Sequence, residues 1–249
     1  MFFASFGRSL LFPPEKPNKE RNNRVRICVI IPTYNESRAI GELIERVRRQ
    51  GLEVIIVDDG STDDTVKIAQ SGGAKVLVSE RNMGKGASLI KGYNYALAQG
   101  FDAVISMDGD GQHSPSDIAA FVRKAQDSSA GLIVGNRMGS AKGMPLLRVA
   151  TNHFMSKLIS LIVKQRVPDT QCGFRLAKKE LLEKIDLSTS KYETESEILI
   201  RAARLGFKIE SIPVETIYAG EKSQIHPLVD SLRFLRFLAR EFMRPRKRP

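Results

Sequence analysis

Five short apolar runs, each followed by residues spaced for a helix, constrain this chain more than any other feature. They are RICVIIP (26–32), LEVIIVDD (52–59), AKVLVS (74–79), AVISM (103–107) and GLIVG (131–135). None shows the in–out alternation of a strand with one wet face, so each reads as a strand buried on both sides. Ile40, Leu43, Ile44 and Val47 recur at helical spacing and predict a helix over 37–50. Further helices are expected from Thr62 to Ser71, capped by Ser61 or Thr62, over 85–99, and from Ser114 to Asp127, with Ser114 as N-cap and Pro115 in the first helical position. Strands alternating with helices predict an α/β fold, a mostly parallel, Rossmann-like sheet with helices on both faces. The second half is less regular. It suggests helices near 149–164, 193–205 and 228–243, a strand at 208–214 and the loop VPDTQCGFR at 167–175.

The 249 residues suffice for a sizeable core. Lys and Arg number 39 against 28 Asp and Glu, a formal charge of +11. That balance favours anionic partners, whether nucleic acid, lipid headgroups or phosphorylated substrates. Two isolated cysteines, Cys28 and Cys172, make neither a disulfide framework nor a zinc cluster, so a reducing compartment is expected. No run approaches the roughly eighteen apolar residues of a membrane span. The apolar start MFFASFGRSLLF is broken by Arg8 and lacks the charged start and cleavage site of a signal peptide, so it reads as a loose or membrane-touching tail.

In a parallel α/β sheet, ligands bind beyond the carboxyl ends of the strands. Here those ends carry Thr33, Tyr34, Asn35 and Glu36; Asp58, Asp59, Gly60 and Ser61; the loop NMGKG (82–86); and MDGDGQH (107–113). Asp108, Asp110 and Gln112 form a short clamp of hard oxygen donors suited to Mg²⁺ or Mn²⁺. The glycines between them let a phosphate approach closely. An EF-hand is ruled out, because His113 stands where that loop needs Gly and Ala119 where it needs Glu. NMGKGAS is no Walker A loop, since Gly86 replaces the Ser or Thr that would hold magnesium. No G-x-G-x-x-G follows the first strand, so a dinucleotide cofactor is not expected.

IPTYNE, VDDGSTDDT, NMGKG, MDGDGQH, GNR and DTQCGFR, in this order and spacing, resemble the family-2 glycosyltransferases of the GT-A fold. Within that family the set is most similar to the polyprenyl-phosphate sugar synthases, such as dolichyl-phosphate mannose synthase and dolichyl-phosphate glucosyltransferase. The similarity covers roughly residues 26–242, and DTQCGFR with the later IYAGEKS narrows it towards lipid-phosphate acceptors. The resemblance implies inverting, metal-dependent transfer of a sugar from a nucleotide sugar (GDP-mannose, UDP-glucose or UDP-N-acetylglucosamine) to a dolichyl or undecaprenyl phosphate. The residues together with the resemblance give a flexible tail at 1–25, a catalytic domain at 26–227 and a basic amphipathic helix with its tail at 228–249 as the expected division. Asp108, Asp110 and Gln112 would hold Mg²⁺ or Mn²⁺ between the donor phosphates, with Asp110 central to catalysis. Pro32, Tyr34, Glu36, Asp58 and Asp59 would line the nucleotide pocket, with Lys85 and Asp108 beside them. Arg137 and Arg148 would meet donor or acceptor phosphates. Relatives often carry Arg in the loop before the last helix. This chain has YAGEKSQIHP there, so Lys222 becomes the candidate cation.

A lipid-phosphate acceptor is already anionic near neutral pH and needs positioning rather than a base. A hydroxyl acceptor would need one. Asp169 is the candidate for that base, or for orienting the acceptor. Its alternative is a turn-forming Asp after Pro168, and His113 either touches the metal site or caps a helix. Polysaccharide-building members of the family carry a Q-x-x-R-W motif and membrane spans. This chain has no Trp, which excludes the motif.

On the expected final helix, Arg233, Arg236, Arg240 and Arg244 fall on one stripe and Leu228, Leu232, Leu235, Ala239 and Phe242 on another. Such a helix either lies on an anionic membrane or docks on the catalytic domain with its basic face in water. The membrane reading places the protein in the cytoplasm, peripheral at the membrane's cytoplasmic face. Two other functions are weighed. A nucleic-acid-binding module fits the +11 charge, but aromatics are only 7% and acids gather where phosphates would have to meet bases, so no nucleic-acid partner is expected. A sugar-1-phosphate nucleotidyltransferase would need a Gly-rich basic loop after the first strand, and IPTYNES is not one.

Overall fold

The computed structural model describes residues 25–140, 144, 146–217, 234, 236–239 and 241. Among these residues the elements follow in the order β1 (Ile27–Thr33), α1 (Ile40–Arg48), β2 (Glu53–Asp58), α2 (Thr65–Ser71), β3 (Lys75–Val78), α3 (Lys85–Ala98), β4 (Ala103–Ser106), α4 (Ile118–Asp127), β5 (Leu132–Asn136), α5 (Leu146–Val163), β6 (Arg175–Lys178), α6 (Lys179–Lys184), α7 (Glu193–Arg204) and β7 (Ile209–Pro213), before a partly described C-terminal helix. They form one sheet ordered β3-β2-β1-β4-β6-β5-β7. The five apolar runs form β1 to β5, and the expected α/β class holds.

The sheet is parallel except for β6, which pairs antiparallel with both β4 and β5. Sequence reading ends the loop at Arg175 and assigns nothing to the three residues after it, because a four-residue segment with a cation at each end carries no apolar signal. Its inner residues, Leu176 and Ala177, are nonetheless buried between two strands. Because β6 runs backwards, the loop preceding it emerges at the same edge as the carboxyl ends of β1, β2, β4 and β5. DTQCG thereby joins the acidic loops.

Two helix starts differ from expectation. The α2 helix begins at Thr65, where the Asp63 carboxylate accepts the Thr65 N–H at 3.0 Å. Ser61 and Thr62, expected to cap it, bond Asn35 instead: the Asn35 N–H donates to Ser61 Oγ and the Thr62 N–H to Asn35 Oδ1, each at 2.8 Å. They staple the loop after β2 to the loop after β1, and Asn35 adopts a left-handed φ of 57° to do so. Ser114 does precede Pro115, but the turn they open is a 3-10 turn, Pro115–Asp117, before α4.

The described part of the C-terminal helix is docked rather than free. Phe234, Phe237, Leu238 and Glu241 are buried, while Arg236 and Ala239 are exposed. This corrects the expected apolar stripe, which placed Ala239 on the buried side. The Glu241 carboxylate accepts from Arg201 at 3.1 Å and from Arg204 at 2.5 Å. Arg201 also meets Glu197, a fully buried acid that accepts the N–H and hydroxyl of both Ser188 and Thr189. Removing one partner of such a buried pair leaves a charge without compensation. Glu241→Ala should therefore lower stability by about 2 kcal/mol, or roughly 4–8 °C in Tm, as read by calorimetry. An unchanged Tm would show that this contact does not hold the helix.

Candidate active site

The carboxyl edge of the sheet collects acids and arranges cations among them. Asp58 ends β2 fully buried, and its Oδ2 accepts the N–H groups of Gly60 and Ser61 at 3.1 and 2.9 Å. Its Oδ1 is buried with no partner among the described residues, a spare acceptor facing no donor of its own. Asp59 accepts the N–H groups of Met83 and Gly84 at 2.9 and 2.7 Å, so it fixes the loop NMGKG rather than lining an open pocket. Pro32 is buried within β1, Tyr34 is exposed just beyond it, and Glu36 accepts the N–H groups of Ala39 and Ile40 through its backbone oxygen. Gly109 brings the acidic loop against this segment. A Cβ at that position would lie 2.9 Å from Thr33 and 3.5 Å from the Glu36 side chain.

Asp108 is the centre of the cluster. Lys85 Nζ sits 2.6 Å from its Oδ1, and His113 Nε2 lies 3.3 Å from its Oδ2. Burial opposes its charge, but Lys85 and His113 outweigh burial and hold the carboxyl well below the usual range. Asp110 is shifted the other way, first by burial and then by the charge of Asp108. Gly173 leaves the space Asp108 needs, since a Cβ there would stand 2.6 Å from Asp108 Oδ1. Gln112 donates its backbone N–H to Asp110 at 3.0 Å. The expected donor set is thus one loop with two acids whose mutual repulsion a divalent cation would relieve. Mg²⁺ is commonly held by one or two carboxylates with substrate phosphates completing the shell, so this set fits such an ion.

The geometry bears on two sequence assignments. Arg137 and Asp169 face each other, buried, with Nε to Oδ2 at 2.7 Å and a second guanidinium contact at 3.0 Å. The Arg137 backbone N–H adds a third bond to the same carboxylate. Asp169 is therefore not presented as a base. Both its oxygens are engaged, and although burial opposes its charge, Arg137 keeps its pKa below the ordinary value. Arg137 in turn gives its Nε and one terminal nitrogen to Asp169. Arg148 lies half-buried near the start of α5 with no ion-pair partner among the described residues. Lys222 falls outside the described residues.

Glu195 is the residue that sequence reading misses. Its carboxylate takes the other side of Lys85, at 2.6 Å. The run YETESEIL reads as a wet helical face, yet Thr194, Glu195, Ser196 and Glu197 are all buried because cations meet the acids there. Cys172 beside the site is fully buried, and that burial pushes its thiol up to about 12.

The site thus joins two carboxylates, an ammonium and a spare acid at the carboxyl edge of a mostly parallel α/β sheet. The chain belongs to glycosyl transferase family 2, whose model matches residues 28–186. It is 33% identical over 215 residues to the UDP-N-acetylglucosamine–dolichyl-phosphate N-acetylglucosaminyltransferase of Methanococcus voltae, covering 77% of this chain and 86% of that one. It is 29% identical over 203 residues to the polyprenol monophosphomannose synthase of Mycolicibacterium smegmatis, covering 76% of each. In structure it is similar to glucosyl-3-phosphoglycerate synthase from Mycobacterium tuberculosis, solved with Mn²⁺, UDP and phosphoglyceric acid. The TM-score is 0.70 at 24% identity, over 89% of this chain and 80% of that one. This chain is thus a glycosyltransferase.

The Arg137–Asp169 pair gives a pH signature. The folded pKa of Asp169 is depressed, so its stabilisation is present above the ordinary carboxylate pKa of about 3.9 and is lost as pH falls through the folded value. Asp169→Asn should destabilise at pH 7, and the gap to wild type should narrow on acidification below about 3.9. Urea melts across pH check this, and a gap that stays constant with pH would contradict it.

Proposed function

We propose that the protein transfers a sugar from a nucleotide sugar to the phosphate of a polyprenyl lipid at a membrane surface, with inversion at the sugar. The observation that carries this is the engagement of Asp169 by Arg137. The acid best placed by sequence to be a base is occupied, and an acceptor that is already a phosphate anion needs none. Its oxygen forms the new bond to the anomeric carbon while the bond to the nucleoside diphosphate breaks and its electron pair leaves with the diphosphate. Asp108 and Asp110, with Gln112, are assigned Mg²⁺ or Mn²⁺, which when bound would neutralise charge developing on that leaving group. Asp58, through its unpartnered Oδ1, is assigned the base or ribose of the donor, with Tyr34 and Glu36 nearby. Arg148 and Lys222 are assigned the acceptor phosphate. The named relatives divide between N-acetylglucosamine and mannose; one name carries a dolichyl phosphate and the other a polyprenol monophosphomannose product.

The membrane contact is assigned to α5. Leu146, Phe154 and Leu161 are 87%, 69% and 70% exposed on one side of it, where Ala150 is also exposed. The helix contains no acid, while Arg148 and Lys157 lie on it and Lys164 follows it. Such a helix lies in an anionic interface without spanning it. Among the described residues, no helix is long and apolar enough to cross a membrane.

Three measurements bear on this reading. A panel of UDP-N-acetylglucosamine, UDP-glucose and GDP-mannose with Mg²⁺ or Mn²⁺ should give transfer to polyprenyl phosphate. A preference for phosphoglycerate or a soluble sugar hydroxyl would overturn the acceptor. Asp110→Asn should keep the fold but lower turnover by about a hundredfold or more, and full turnover in excess EDTA would remove the metal. Replacing Leu146, Phe154 and Leu161 by Glu should abolish flotation with anionic liposomes while leaving Tm unchanged, because these side chains touch water. Unimpaired flotation would exclude α5 as the contact.

A further inference from the structure

Lys85 bridges two carboxylates that belong to different parts of the fold. Asp108 lies on the loop after β4, and Glu195 lies in the first turn of α7. Lys85 Nζ is 2.6 Å from an oxygen of each. The two acids are not equivalent. Asp108 also serves His113 and stands beside Asp110, and its side chain is 27% exposed. Glu195 is 9% exposed, and its backbone oxygen is anchored by the fully buried Arg175 at 2.6 Å. One partner thus opens onto the site while the other is fixed behind it. An ammonium held on Asp108 occupies a lone pair that a metal ion would use, and the two cations repel at that range.

We propose that Lys85 is a resident counter-ion that competes with the divalent cation for Asp108, and that Glu195 is the positioning residue that receives Lys85 when the cation binds. This rests on the assignment of Asp108 and Asp110 as metal ligands. Without Glu195, Lys85 would have Asp108 as its sole carboxylate partner among the described residues and would hold it more tenaciously. Without Lys85, Asp108 would be open to the metal from the start. Glu195 therefore acts on metal affinity only through Lys85.

The test is Mn²⁺ binding to the nucleotide-free, full-length protein, measured by electron paramagnetic resonance or titration calorimetry. It needs no turnover. Lys85→Met should bind Mn²⁺ about tenfold more tightly than wild type, and Glu195→Gln about tenfold more weakly. The double variant should match Lys85→Met, because Glu195 has nothing left to position. Circular dichroism melts report whether each variant folds, and Glu195→Asp, which keeps the charge, should restore part of the affinity lost in Glu195→Gln if the fold is intact. An unchanged Glu195→Gln, a weakened Lys85→Met, or a double variant as weak as Glu195→Gln would overturn the proposal. If Asp108→Asn and Asp110→Asn bind Mn²⁺ as wild type does, the metal assignment itself fails. If those two lose binding while the Lys85 and Glu195 variants keep wild-type affinity, only this inference falls.

Discussion

Arg175 has no route to water, and the surrounding chain is arranged to satisfy its guanidinium. The side chain is 2% exposed and donates to three backbone carbonyls, Cys172 at 2.7 Å, Thr170 at 2.8 Å and Glu195 at 2.6 Å. A buried guanidinium without such partners would be severely destabilising, whereas charge-assisted bonds of this kind are among the strong ones. The arrangement fixes the DTQCG turn and the start of α7 relative to each other. The turn carries Asp169 and Gly173, and the helix carries Glu195. Asp108 fits against Gly173, and Lys85 reaches across to Glu195. The positions of both carboxylates around Lys85 thus follow from one arginine at the start of an antiparallel strand.

The edge also shows how a chain of net charge +11 can gather acids in one place. Asp108 has Lys85 and His113, Asp169 has Arg137, and Glu197 has Arg201. Lys85 and Arg137 reach their acids from distant segments, while Arg201 stands one turn from Glu197 on the same helix. Asp110 differs from these, since burial first and then the charge of Asp108 oppose its ionised form. The imbalance at that loop distinguishes it from the structural ion pairs around it.

What was legible in the sequence follows from what each segment had to bury. The strands β1, β2, β4 and β5 are apolar runs whose stable place is a sheet covered on both faces, so their existence could be read, though their order in the sheet could not; β3 was expected to be buried too, but it lies at the edge with Val78 exposed. The loops at their ends were legible because glycines and acids there have no packing reason to cluster. β6 was not, since RLAK is buried by its neighbours rather than by its own composition. Glu195 and Glu197 were not, because an acid in a helix reads as wet until the cation facing it is known. On the C-terminal helix Ala239 was read on the buried side and is exposed, while the other members of that stripe lie outside the described residues. FLRFLAREF offers two apolar stripes, and Phe234, Phe237 and Leu238 outweigh the one containing Ala239. Arg137 and Asp169 were each singled out, but spacing alone could not show that they meet.

The reversed strand also bears on how the chain is made. Synthesis delivers β1 to β4 first, and these can pair at once in their parallel ladder. The free side of β4, an apolar edge of Ala103, Val104 and Ile105, has no neighbour until β6 leaves the ribosome. β5 is made earlier than β6 but joins the sheet only through β6 and β7. The nascent protein therefore carries an open, sticky sheet edge through the whole of α4, β5 and α5, the condition under which edge strands pair with the wrong partner. The finished fold closes that edge, so this chain's hazard lies in the interval before closure, when a holding chaperone would have most to protect.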